Sequence, residues 1–405
     1  MAAQAIRHLL LVSTRWIVQV GIRALGCDKQ KINSTSTHIA SQSGASALAE
    51  DLISISMSSE YATSISQAST STPVTSQSGT STSLSISRVS VAAILEIVAS
   101  PLGAYNVDSA AVSVSGLSSG GFMSAQLGVA YSNVFQVDFG VFAGGPFDCA
   151  RNQAYTTCMY NQSPSITTPT ANMKSWSGNE IATTSNLANR KIYLWEGSAD
   201  TTVGPNVMNA LHSQLSNFDT SADVSYVTTS GAVHTFPTDF DGSGDNSCSM
   251  STSPYISNCN YDGAGAGLQW IYGSLNTRNT GTLTGSVVSF AQTGEYVPLA
   301  WTRPVIFTFQ WLHGLQANTG YNIWADTNNI IILYPQAIPD NTMHSIWGGS
   351  ELSNPNGCWD WVGWYGANAD QIGGVQMVAI ANQVAQVMSG NTGGGTSPGG
   401  GVLPR

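Results

Sequence analysis

The sequence is poor in charge. Only 9% of its 405 residues are Asp, Glu, Lys or Arg, and 23 acidic side chains outnumber 13 basic ones, which gives a formal net charge of −10. Nucleic acids and anionic membranes are bound through Lys and Arg side chains that neutralise phosphate. The composition therefore argues against both as partners. It is typical of secreted proteins that act on neutral material.

Two further patterns are missing. No run approaches the roughly 18 apolar residues of a membrane-spanning helix, so we expect none. None of the six cysteines has the C-x-x-C spacing of a zinc site, and we expect no metal. Two pairs instead enclose short polar loops, and we expect two local disulfides, formed in an oxidising compartment: Cys149–Cys158 and Cys248–Cys259.

Two cysteines, Cys27 and Cys358, are left over. They allow one remote disulfide, but we favour two unrelated thiols or a missing partner.

The pattern that organises the chain is G-x-S-x-G at Gly116–Gly120. Alternating valines before it predict a short buried strand, and the stretch from Phe122 to Tyr131 predicts a helix. A strand, a sharp glycine turn and a helix in this order form a nucleophile elbow, in which the serine hydroxyl stands above the sheet. We therefore predict that Ser118 is a nucleophile.

Further strands are predicted at 137–145, 191–195 and 223–228, with a helix at 203–217. Strands alternating with helices indicate an α/β fold with a mainly parallel sheet and helices on both faces. Ser118, Asp200 and His234 each follow a predicted strand, at the sheet edge where such folds carry their chemistry. Their order is that of the α/β-hydrolase triad. Individually, Asp200 could cap a turn and His234 could be an ordinary loop histidine.

A His-Gly pair at His313-Gly314 is similar to the motif whose following amides form an oxyanion hole. In ordinary α/β-hydrolases this motif precedes the nucleophile. Here it follows the triad histidine, which predicts a circularly permuted chain.

Over about 105–390 the chain resembles the fungal extracellular polyhydroxybutyrate depolymerases with one permuted catalytic domain. The resemblance rests on long strings that include GLSSGGFMSAQLGVAYS, VFAGGPFDCARNQ, DTTVGPNVMN, SGAVHTFPTDF, WADTNNIIILYPQAIPD and NPNGCWDWVGWYG. It implies a secreted serine esterase that hydrolyses poly[(R)-3-hydroxybutyrate] without a cofactor, with the triad Ser118, Asp200 and His234. The substrate is a solid or oligomeric polyester, and we expect a monomer.

The resemblance also assigns residues around the triad. It makes the amide of Ser119 one oxyanion donor and puts Trp361 and Asn356 beside the bound polyester. We interpret Trp361 as an exposed substrate wall and Trp364 as a packing residue.

The stretch 295–317 departs from the family, which carries a longer segment with a cysteine after His-Gly. That cysteine supplies the second oxyanion amide in the family, and here Leu315 stands in its place. Two alternatives remain: a secreted esterase of the same fold for another polymer, such as plant cell-wall esters, and, because of this departure, a catalytically impaired protein that binds polymer.

Four segments are expected along the chain. Residues 1–87 contain a Ser/Thr-rich run with little apolar periodicity and should be disordered; our hypothesis is that they come from a mistaken start or exon assignment. Residues 88–104 resemble a signal peptide. The catalytic domain should span 105–389, followed by a flexible Gly-rich tail at 390–405.

Overall fold

A computed structural model describes residues 16–22, 101–219, 223–288, 290, 292 and 318–390. The helices are α1 (Ser119–Ala130), α2 (Thr167–Trp176), α3 (Pro205–Leu215), α4 (Gly263–Tyr272), α5 (Tyr321–Asn328) and α6 (Val375–Met388). The strands are β1 (Trp16–Ile22), β2 (Val107–Leu117), β3 (Asp138–Phe142), β4 (Ile192–Gly197), β5 (Val224–Thr229), β6 (Phe236–Thr238), β7 (Asn246–Ser247), β8 (Ile256–Asn258), β9 (Ile330–Leu333), β10 (Asp340–Ser345) and β11 (Glu351–Asn354).

Six strands form the main sheet in the order β5-β4-β3-β2-β1-β9. Every pair in it is parallel, so all six strands end at the same edge. The predicted α/β fold with a mainly parallel sheet is confirmed. Two smaller sheets lie outside it: β6-β8-β7, and the antiparallel pair β10-β11.

Side chains alternate between the two faces of the sheet, as the pleat requires. In β4, Ile192 and Leu194 join the core that contains residues of α1, α3 and α6. Tyr193 and Trp195 point the other way and join the core that contains residues of α4 and α5. Helices therefore cover both faces, as the sequence predicts.

Strand β1 is the main departure from the sequence-based expectation. Trp16–Ile22 lies between β2 and β9 and pairs with both, although residues 1–87 were expected to be disordered. Its Gln19 and Val20 side chains are fully buried. The expectation of disorder is thus wrong for this stretch. The remaining parts of 1–87, most of the signal-like segment and the tail after Gly390 lie outside the described residues.

The cysteines also differ in part from expectation. The structure contains the disulfides Cys149–Cys158 and Cys248–Cys259. Cys358 is disulfide-bonded as well. The interpretation of Cys358 as an unpaired thiol is therefore wrong. In the described part of the chain no helix has the length and apolar character needed to cross a membrane.

Candidate active site

Ser118 occupies the turn between β2 and α1. Its backbone has φ 60° and ψ −124°, a conformation that a residue with a side chain rarely adopts. The Ser118 amide donates to the Phe142 carbonyl at 3.0 Å, which fixes the turn to the end of β3. A Cβ at Gly121 would lie 2.9 Å from the same carbonyl oxygen, so only glycine lets α1 approach so closely. The turn has the geometry of a nucleophile elbow.

Asp200 follows β4, at the edge of the sheet where β2 also ends. Its Oδ1 accepts hydrogen bonds from the amides of Thr202 (2.7 Å) and Val203 (3.1 Å), and its Oδ2 lies 2.7 Å from His234 Nδ1. Burial on its own would raise the pKa of Asp200. The charge and hydrogen bond of His234, with the hydrogen bonds around the carboxylate, lower the pKa below its usual value. Asp200 is therefore an ionised carboxylate aimed at the imidazole.

His234 follows β5 and is only 2% exposed. Its Nδ1 faces a carboxylate that can only accept, so Nδ1 donates and Nε2 is the basic nitrogen of the ring. The edge of the ring packs on Tyr255, with 6.1 Å between centroids. The preceding amide, of Val233, donates to the Cys248 carbonyl at 3.1 Å. The Cys248–Cys259 loop thus supports the imidazole.

Ser119 is the first residue of α1, so its amide lies at the positive end of the helix dipole. Its hydroxyl oxygen accepts a hydrogen bond from the Trp359 amide at 3.1 Å, which ties the elbow to the aromatic loop 359–365. Leu315 and the whole His313-Gly314 motif lie outside the described residues.

The aromatic loop is shaped by a buried carboxylate. Asp360 Oδ1 accepts from the amides of Val362, Gly363 and Trp364, and Oδ2 accepts from that of Tyr365 at 2.8 Å. Burial nevertheless raises the pKa of Asp360, against the lowering effect of these four amides. One side chain therefore fixes the backbone that presents the loop's tryptophans.

Trp361 stacks on Phe122 of α1, with ring centroids 4.3 Å apart and planes inclined by 17°. It is only 6% exposed, so the expectation of an exposed wall is wrong. Phe122 covers one of its faces. Trp361 and Asn356 do line the same cavity, of about 40 Å³. The Phe122 amide donates to the Ser118 carbonyl at 3.0 Å, so Trp361 stacks on a residue of the helical turn that follows the elbow.

A buried acid that sequence reasoning did not single out lies beside Asp200. Glu196 is fully buried at the end of β4, and its carboxyl group interacts with that of Asp200 by charge and by a side-chain hydrogen bond. Its position four residues before Asp200 was visible in the sequence. Its burial was not, because acidic residues at strand ends are ordinarily solvated.

Comparison with known proteins identifies the family. A curated relative from Talaromyces funiculosus, a polyhydroxybutyrate depolymerase, is 69% identical over 320 residues, which cover 73% of this chain and 94% of the relative. The chain belongs to the polyhydroxybutyrate depolymerase family. A poly(3-hydroxybutyrate) depolymerase from Delftia acidovorans is 41% identical over 335 residues, covering 75% of this chain and 64% of that protein.

Solved structures agree with this membership. The crystal structure of PHB depolymerase from Penicillium funiculosum is 68% identical, with a TM-score of 0.68 over 72% of this chain and 99% of the other. A PHB depolymerase complexed with R3HB trimer is 66% identical, with the same TM-score and coverage. The predicted resemblance to the depolymerases is therefore confirmed. No family model matches the chain.

Proposed function

We propose that this protein hydrolyses the ester bonds of poly[(R)-3-hydroxybutyrate] by acyl transfer through Ser118. The observation that carries the proposal is the 2.7 Å contact between Asp200 and His234 at the sheet edge that also holds the strained Ser118 turn. Membership of the depolymerase family supports the substrate class. Ester hydrolysis by an activated serine needs no metal or cofactor, and we propose none.

In the first half of the reaction, Ser118 Oγ attacks the ester carbonyl carbon while His234 Nε2 takes the hydroxyl proton. Asp200 holds the ring and stabilises the imidazolium. The tetrahedral intermediate collapses as the imidazolium gives its proton to the departing alkoxide, which leaves as the hydroxyl end of one polymer fragment. The other fragment stays as an ester on Ser118.

In the second half, His234 removes a proton from water, and the resulting nucleophile attacks the acyl carbon. Collapse returns the proton to Ser118 and releases a carboxylic acid. We assign the amide of Ser119 to the developing oxyanion, with Leu315 as the second donor. Loss of one such donor lowers kcat by about 10²–10³. A chain in which the Leu315 amide did not serve as the second donor would therefore turn over that much more slowly.

Substrate binding is assigned to the cavity of Trp361 and Asn356. An aliphatic polyester is neutral and apolar along its methyl-bearing chain, and aromatic side chains suit such surfaces. The asparagine supplies a polar group for the ester oxygens. We further propose that the protein is secreted, as its disulfides favour, and acts as a monomer.

A turbidity assay on polyhydroxybutyrate granules tests the function, with the parent and its Ser118→Ala variant side by side. We expect the parent alone to clear the suspension, since alanine removes the nucleophile but little volume. Clearing by both proteins would overturn the role of Ser118. No clearing by either, from folded protein that adsorbs to granules, would favour the impaired polymer-binding protein that the altered 295–317 stretch suggests.

A further inference from the structure

Glu196 is buried where an ionised carboxylate would be unfavourable. It is fully inaccessible to solvent and pairs in register with Thr228 on β5. Removing a charge from water costs several kcal/mol unless a counter-charge or several hydrogen bonds compensate. Among the described residues, no basic side chain acts on this carboxyl group. A neutral carboxylic acid is therefore the stable form at this position.

The hydrogen bonds around Glu196 assign its proton. Its Oε1 accepts from the Gly197 amide at 3.0 Å, while Oε2 accepts no hydrogen bond in the described part of the chain. The carboxyl group interacts directly with Asp200. Two carboxyl groups that share a hydrogen bond need one proton between them. Asp200 already accepts from two amides and the imidazole, so the proton belongs to Glu196.

The pKa directions of both groups agree with this assignment. Burial, followed by the charge of Asp200, raises the pKa of Glu196 well above its usual value. The hydrogen bond from Glu196 is one of the effects that lower the pKa of Asp200.

We propose that Glu196 is a positioning residue, which donates a hydrogen bond from a neutral carboxylic acid to Asp200 and so keeps that carboxylate ionised and aimed at His234. Glu196 does not touch the substrate. The inference rests on the proposed roles of Ser118, Asp200 and His234. Loss of the Glu196 proton at high pH would place two negative charges together in a buried site, so activity should fall on the alkaline side.

Other titratable groups near β4 do not replace this role. The elements packed against β4 carry Tyr226 on β5, Asp138 on β3, His212 on α3 and Tyr272 on α4. Burial raises the pKa of Tyr226 to about 12, with a smaller contribution from Glu196 once that carboxyl group is ionised at high pH. Asp138 begins β3, at the opposite end of the sheet from Asp200.

The experiment compares Glu196→Gln with Glu196→Met. The amide of glutamine can still donate to Asp200 but cannot ionise, whereas methionine fills the space and donates nothing. With a soluble 4-nitrophenyl butyrate substrate, we expect kcat of Glu196→Gln within about threefold of the parent at pH 7 and an alkaline limb moved upward. Glu196→Met should lose about 10²-fold in kcat, the size of loss that a misplaced catalytic group produces.

A second readout reports on the Asp200–His234 contact itself. The low-field proton NMR signal of His234 Nδ1–H should persist in the parent and Glu196→Gln and disappear in Glu196→Met. The matched control is Asp138→Asn, which neutralises another buried acid. It should leave kcat, its pH profile and the NMR signal unchanged.

The proposal is overturned if Glu196→Met keeps the parent's kcat or NMR signal, or if Glu196→Gln is as impaired as Glu196→Met. If Glu196→Met does not fold, the pH dependence of kcat in Glu196→Gln tests the proposal. An alkaline limb at the same pH as that of the parent would overturn it. Stoichiometric labelling of the parent with a phosphonofluoridate, mapped by mass spectrometry, tests the proposed function separately. If Ser118 is not the labelled residue, the proposed function fails whatever the Glu196 variants do.

Discussion

Gln19 Nε2 donates a hydrogen bond to Ser115 Oγ at 3.0 Å, joining the N-terminal strand to the strand that carries the elbow. Ser113 on the same strand donates to Gln19 Oε1. Both serines also contact tyrosines of the helices α4 and α5, which pack on this face of the sheet: Ser113 binds Tyr272 and Ser115 binds Tyr321. The strand β1 is therefore held by a buried polar network as well as by backbone pairing.

We predict that Gln19→Leu destabilises the protein by about 1–3 kcal/mol, because two buried serines lose a partner that leucine cannot replace. The measurement is the urea midpoint of unfolding. Gln136→Leu, at an exposed loop position, is the control and should change the midpoint little. An unchanged midpoint in Gln19→Leu would mean that β1 does not contribute to the folded state.

Substitution of Trp361 should affect polymer more than small esters. Trp361→Ala removes the ring stacked on Phe122 and should lower granule hydrolysis about tenfold while soluble 4-nitrophenyl ester hydrolysis changes less. Trp361→Phe retains a stacked ring and should restore most of the activity. Equal losses on both substrates would indicate damage to the elbow through Phe122 instead of lost polymer binding.

Removal of the Cys248–Cys259 disulfide by a double serine substitution should lower kcat. A disulfide that closes so short a loop stabilises the folded protein by about 2–3 kcal/mol. It also fixes the Cys248 carbonyl, which accepts the hydrogen bond from the amide of Val233, the residue before His234. The comparison is removal of Cys149–Cys158, which packs in the cluster of Trp361 and should act mainly on KM for polymer. Steady-state kinetics on oligomers give kcat and KM for both variants. The prediction fails if loss of Cys248–Cys259 changes mainly KM and loss of Cys149–Cys158 changes mainly kcat.

Asp138 should make stability depend on pH. Burial raises its pKa to about 8, against the lowering effects of the Lys191 amide and the nearby Arg190. The folded pKa thus lies above the unfolded value near 4, so the folded state holds a proton that the unfolded chain releases. The stabilisation is complete below about pH 4 and is lost as pH rises towards 8.

Asparagine resembles the protonated acid, so Asp138→Asn should remove this slope. We expect its melting temperature to match that of the parent at pH 4–5 and to exceed it by several degrees at pH 8–9. Asp241→Asn, at an exposed position, should keep the parent's slope. A constant difference between Asp138→Asn and the parent across this range would contradict the prediction.

The elbow and the strand ends were predictable because their signals are local. A serine between glycines, after alternating valines and before an apolar helix, specifies one turn regardless of distant residues. Asp200 and His234 followed from strand positions alone, since parallel strands bring their carboxyl ends to one edge. Their mutual contact agrees with that placement, and their catalytic roles stay predictions.

Burial and remote pairing were the features that sequence reasoning missed. Trp361 reads as an exposed aromatic because the sequence does not reveal that Phe122, more than 200 positions away, covers it. Glu196 was not singled out from the sequence, because nothing there indicates its burial. The partners of the strand Trp16–Ile22 lie far along the chain. Such contacts depend on tertiary context, which outweighs local propensity.

The place of β1 in the sheet also constrains how the molecule is made. Trp16–Ile22 is translated long before Ile330–Leu333, yet Val20 pairs with Leu333. Pairing between such distant segments is slow, and an unpaired strand edge invites association with other chains until it is covered. Until Ile330–Leu333 has been translated, the edge of Trp16–Ile22 that pairs with it stays open to contact with other chains.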